Sequence, residues 1–120
     1  MITVMNDTPN NVAAFRATGY VDKKDYDNVV IPTIDELVKK QDTINFMLVL
    51  DMDLKNFTAG ALLKDLGVGL KHFTKWHKMA IVSESGAINN FTDAFSYVSP
   101  GEAKGFTHAQ LDEATKWVSN

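Results

Sequence analysis

The chain contains no cysteine, which excludes disulfides, thiolate catalysis and cysteine-based metal sites. Arginine is nearly missing as well: Arg16 is the one guanidinium among twelve basic residues. Paired arginine forks of the kind that clamp phosphates or carboxylates are therefore excluded. With a formal net charge of −3, the chain also lacks the basic face that neutralising a phosphate backbone requires, so no nucleic-acid partner is expected. Long apolar runs are absent too. None approaches the roughly 18 residues of a membrane span, and Asn6, Asp7, Asn10, Asn11 and Arg16 interrupt the stretch from Met1 to Tyr20 where an export signal would lie. The expectation is a cytoplasmic protein with no transmembrane segment.

What remains is ordinary globular material. A length of 120 residues with 45% hydrophobic and 22% charged side chains suits a single domain, residues 1–120, built on one core. Ile2 and Val4 alternate with Thr3 and Met5 before a polar cluster from Asn6 to Asn11 breaks the pattern. That reads as a strand and a turn. Phe15, Ala17, Gly19 and Val21 share one face of a second strand over 12–21, antiparallel to the first. Helical spacing then takes over, with Asp22 as N-cap and Tyr26, Val30, Ile34, Leu37 and Val38 on one stripe. Pro32 lies inside the stripe and predicts a kink or a restart, for which Thr33 and Glu36 form a capping box.

Residues 44–52 form an almost unbroken apolar run of strand length, the signature of a central strand covered on both faces. After the polar turn Asp53 to Asn56, a helix is expected from Thr58, carrying Leu62, Leu66, Leu70 and Phe73 and ending in the aromatic cluster Phe73, Trp76, His77. Met79 to Val82 reads as a buried strand, Ser83 or Ser85 as the cap of a third helix faced by Ile88, Phe91, Ala94 or Phe95, and Val98. A strand over 103–106 leads into a last helix, opened by the T-x-x-Q box of Thr107 and Gln110. The expected fold is α/β, in the order β-β-α-β-α-β-α-β-α: a mixed sheet with its first strand antiparallel, the remainder parallel, and about four helices.

Ligands and partners of such sheets sit beyond the carboxyl ends of the parallel strands. Those ends bring Tyr20 and Asp22, Asp51 to Thr58, Ser83 to Gly86 and Phe106 to His108 to one edge. Asp51 and Asp53 could serve as paired carboxylates for proton transfer or a cation, or simply as solvated strand-end residues. No histidine or third acid follows at ligand spacing, so no metal site is expected. Thr58, Ser83 and Ser85 could present a helix N-terminus to an anion or act as plain caps. Phe73, Trp76, Phe91 and Phe95 either pack the core or line an apolar pocket. His72, His77 and His108 share no motif, no nucleophile elbow or phosphate loop appears, and no enzyme activity or cofactor is expected.

Several strings nevertheless resemble one family. They are Ala17 to Tyr20 (A-T-G-Y), Ile31–Pro32, Leu48 to Asp51 (L-V-L-D), Phe57 to Leu62 (F-T-A-G-A-L), Asp65 to His72 (D-L-G-V-G-L-K-H) and Lys78 to Val82 (K-M-A-I-V). Together they resemble the SpoIIAA-like branch of STAS proteins, small bacterial proteins related in fold to the CRAL-TRIO lipid carriers. The resemblance implies a non-catalytic regulatory or interaction module that presents the 51–60 loop and adjoining helix; with the strand-end edge, this puts the expected partner surface at Asp51, Asp53, Phe57, Thr58, Ser83 and Ser85. In the anti-sigma-factor antagonists of that family the corresponding loop resembles D-S-S-G with a phosphorylated serine. Here residues 51–58 read D-M-D-L-K-N-F-T, and Thr58 is the nearest hydroxyl. The likeness to lipid carriers implies the alternative, a small amphipathic ligand held between sheet and helix. Homodimerisation through the first strand or the third helix is a further expectation.

Overall fold

The computed structural model describes residues 1–19, 23–51, 75–95 and 101–120. The core begins with β3 (Ile44–Asp51), whose first seven residues are all buried, as the apolar run requires. Around it stand β1 (Ile2–Val4), β2 (Ala13–Thr18), β4 (Trp76–Val82) and β5 (Glu102–Phe106), in the spatial order β1-β2-β3-β4-β5. The first pair is antiparallel, with Ile2 opposite Ala17. Every later pair is parallel. The mixed sheet foreseen from the strand patterns is therefore the one observed, with β2 shorter at both ends than the 12–21 expected.

The described crossovers, from β2 to β3 and from β4 to β5, place their helices on one face of the sheet. Ala13, Phe15, Ala17, Phe46, Leu48, Leu50, Met79 and Ile81 cluster with Ile34 and Leu37 of α1 (Ile31–Gln41) and Ile88 of α2 (Gly86–Phe95). Their neighbours Ala14, Met47, Val49, Ala80, Val82 and Phe106 point the other way. They pack on Ala114 and Val118 of α3 (Leu111–Ser119). Among the described residues, α3 covers the second face, over β3 and β4. Where it stops, over β1 and β2, Thr3 stands exposed and Arg16 and Thr18 half-exposed.

These three helices, each of nine residues or more, stand among the described residues, against about four expected; the one foreseen from Thr58 to Phe73 lies outside them. The Pro32 restart takes a form the sequence pattern did not indicate. A short turn of α-helix at Lys23–Asp25 runs into a π-helical turn, Tyr26–Val30, and α1 begins directly after it with Pro32 in its first turn, where no amide is needed. The Thr33–Glu36 capping box does not form. Val30 occupies the N-cap, and the Thr33 hydroxyl donates instead to the Val29 carbonyl at 2.8 Å, bridging the wider turn where proline supplies no amide. At its other end α1 closes on Asp42, which adopts a left-handed conformation (φ 61°) and donates its amide to Val38 O.

Trp76 and His77 require a second correction: they open β4 and do not end a helix. Trp76 is buried edge-on against Phe46 (ring centroids 5.4 Å apart), and Phe46 in turn meets Phe15 at 5.6 Å. The cluster is an aromatic layer of the core.

Below that layer a polar network closes the amino ends of the strands. Buried Asn45 donates to the Asn11 carbonyl and accepts from His77 Nδ1, and Gln41 donates to the same Asn11 oxygen. Asn11 in turn caps Ser119 O of α3, while Lys78 reaches Trp117 O and lies over its ring. The buried Asn45 amide thus has partners at both ends, as a low-dielectric interior favours, whereas the neighbouring Trp76 indole N–H is buried without one.

Candidate functional site

The carboxyl edge has the opposite character, exposed and charged. Asp51 ends β3 one residue after the core and so stands exposed. Its register partner on β2 is Thr18, two residues beyond Arg16. That diagonal brings Arg16 Nη1 to 3.0 Å from Asp51 Oδ2. Both side chains are well exposed (37% and 52%), so the pair contributes at most about 1 kcal/mol. Asp51 therefore pairs with the single arginine; its expected companion Asp53 lies outside the described residues, as do Phe57, Thr58 and Phe73 and the side chains of Phe91 and Phe95.

The exit of β4 is tied down residue by residue. The Ser83 amide donates to Phe106 O at 2.8 Å, prolonging the β4–β5 ladder past Val82. Buried Ser83 Oγ accepts from the Ser85 amide at 3.0 Å, and Ser85 Oγ accepts from Ile88 N at 3.3 Å, which makes Ser85 the cap of α2. Asn89, one turn into α2, donates back to Ser83 O. Both serines that were candidates for an anion site have their hydroxyl oxygens committed to backbone amides.

Between them, Glu84 turns outward and meets His108. The T-x-x-Q box forms as foreseen: Thr107 and Gln110 cap a 3₁₀ turn, His108–Gln110, that leads into α3. His108 is its first residue. One oxygen of Glu84 lies 3.0 Å from the His108 amide and 2.9 Å from Nδ1 of its ring. The other ring nitrogen, Nε2, lies 3.0 Å from the Leu50 carbonyl, the residue before Asp51. The backbone amide of His108, and then its ring, hold the Glu84 carboxyl below the usual carboxylate range.

Three strand ends thus meet at one imidazole. The edge named from the topology contains Asp51, Ser83, Ser85 and His108, as expected, whereas Trp76 lies at the opposite end of β4. A seven-residue strand separates the two ends by about 20 Å. Glu84 and Arg16 carry no mark of a site in the sequence, because their partners are 24 and 35 positions away in the chain. Among the described residues, no group of three or more histidine or acidic side chains could hold a metal ion, and no helix is long and apolar enough to cross a membrane.

A family model described as SpoIIAA-like matches residues 12–119, nearly the whole chain, including all four parallel strands. The chain belongs to the SpoIIAA-like family. Among solved structures, an uncharacterized protein of the DUF3478 family with a SpoIIAA-like fold, from Shewanella loihica PV-4, is similar at 22% sequence identity. The likeness covers 98% of this chain and 93% of that one with a TM-score of 0.65. At that identity it shows the SpoIIAA-like fold and no more. No curated protein matches the chain.

Proposed function

We propose that this SpoIIAA-like domain is a non-catalytic regulatory or interaction module that presents the carboxyl edge of its sheet to a protein partner. One observation carries the reading: the ionisable side chains described at this edge are committed to one another. Arg16 is held by Asp51, and both nitrogens of His108 face acceptors. A general base needs a free lone pair within reach of a substrate proton. His108 offers none in this arrangement, while Asp51 and Glu84 remain exposed (52% and 63%) as a surface a partner can touch. Asp53, Phe57 and Thr58 extend that surface in sequence, and the reading places the domain in the cytoplasm with no resident cofactor.

Site-specific photo-crosslinking tests it. A crosslinking side chain at position 51, on the carboxyl edge, should capture a defined protein from the native host that the same probe at Thr43, exposed at the amino end, does not. Equal capture at both ends, or none at either, would discard the reading. A small amphipathic molecule retained by the freshly purified protein in native mass spectrometry would favour a carrier instead.

A further inference from the structure

His108 ties together three segments distant in sequence, and the chemistry of its two contacts is unusual. Leu50 O is a carbonyl and Glu84 Oε1 belongs to a carboxylate, so neither has a proton to give. A neutral imidazole carries one N–H and satisfies only one of them. Only the doubly protonated ring satisfies both.

We propose that His108 is a proton-operated clamp on the carboxyl edge, closed between β3 and the β4–α2 turn when the ring carries both protons and released from Leu50 when it loses one. The direction of release follows from the partners. A bond to a carboxylate is about twice as strong as one to a neutral carbonyl, so the remaining proton stays on Nδ1, against Glu84. Nε2 then turns a lone pair toward the lone pairs of Leu50 O, and that contact fails.

Other charges around the clamp set its background. On the elements that carry or border it, among the described residues, these include the Arg16–Asp51 pair at the ends of β2 and β3, Lys104 over the Phe106 ring on β5, Asp93 of α2 on the Gly105 amide, and Asp112 and Glu113 in the first turn of α3. Glu84 itself stays ionised to lower pH than an ordinary carboxylate, because it accepts the His108 amide as well as the ring. The Glu84 end is the one with a charged acceptor in both states of the ring, so the Leu50 end alone responds to the second proton. Leu50 immediately precedes Asp51, so release loosens the stem of the edge proposed to bind a partner. That functional consequence rests on the partner reading; the clamp does not.

The test is imidazole ¹⁵N NMR on the full chain between pH 5 and 9, with the amide signals of Leu50 and Asp51 followed in the same samples. The expected result is an imidazolium at low pH that gives way to a neutral ring protonated at Nδ1, the reverse of the tautomer free imidazole side chains prefer in water. The Leu50 and Asp51 amides should shift with the same midpoint. Glu84→Ala should restore the ordinary Nε2-protonated tautomer, and His108→Gln should abolish the amide titration. A neutral His108 protonated at Nε2 in the wild-type protein, or Leu50 and Asp51 amides that ignore its titration, would overturn the clamp, and neither result depends on a variant folding. A clamp that titrates as described while capture from position 51, which leaves Glu84 and His108 in place, is unchanged between pH 6 and 8 would instead count against the partner reading.

Discussion

Gly105 sits in β5 where α2 presses on the sheet, and a Cβ built there would stand 2.6 Å from Asn89 Cα and 2.9 Å from its carbonyl oxygen. Both are backbone atoms and cannot step aside without moving the helix. Gly105→Ala should therefore cost about 1–3 kcal/mol, the usual range for overpacking a close contact, read as a lower urea midpoint with an unchanged slope. Gly86 offers the control. It opens α2 with nothing within 4 Å of a new Cβ, so Gly86→Ala should lie within about 0.5 kcal/mol of wild type or gain slightly from a less flexible unfolded chain. Equal losses from both substitutions would mean that the β5–α2 contact is looser than drawn. At the same scale, Asn45 is buried with both ends of its amide in use, one on Asn11 O and one on His77. Asn45→Ala leaves Asn11 O with one donor fewer in the interior and should cost about 1–3 kcal/mol.

At the scale of elements, α2 depends on a single side-chain cap. Ser85→Ala removes the acceptor for Ile88 N and should lower stability by about 0.5–2 kcal/mol, with hydrogen exchange quickening first in the opening turn of α2. This cap was visible in the sequence because capping is local: Ser85 lies three residues from the amide it accepts. The same holds for Thr107 and Gln110, and for β3, whose apolar run needs no partner to be recognised. Where the reading failed, the deciding force was not local. Thr33 and Glu36 have the spacing of a capping box, but the π-helical turn before Pro32 shifts the start of α1 and hands the hydroxyl to Val29. Trp76 and His77 follow a stretch of helical periodicity and carry no mark of their own. Only pairing with β3, where Ile44 stands opposite Trp76, makes them strand. The edge itself was legible as a place, since strand ends converge wherever parallel strands align; its pairings Arg16–Asp51 and Glu84–His108 were not, because nothing in the sequence couples positions so far apart.

At the scale of the whole molecule the two ends of the sheet are built for different purposes. The amino end is closed by a hydrogen-bonded amide network centred on buried Asn45, and damage there should appear as lost stability. The carboxyl end carries exposed ion pairs that add little to stability. A double-mutant cycle on Arg16→Ala and Asp51→Asn should give a coupling of about 1 kcal/mol or less, shrinking further as salt rises past 0.15 M, where the screening length is about 8 Å. The acid limb of stability tells the same story with a sign that can be worked out. The Glu84 carboxyl titrates lower in the folded chain than in the unfolded one, so the unfolded state binds its proton first as pH falls. The stabilisation is complete above the ordinary carboxylate range and disappears as pH drops through the folded value. Glu84→Gln should flatten that part of the curve without altering the plateau near neutrality by more than a surface pair contributes. A variant curve parallel to wild type from pH 5 downward would show that the His108 amide does not hold this carboxylate in solution, and with it would go the geometric basis for treating the edge as a preformed surface.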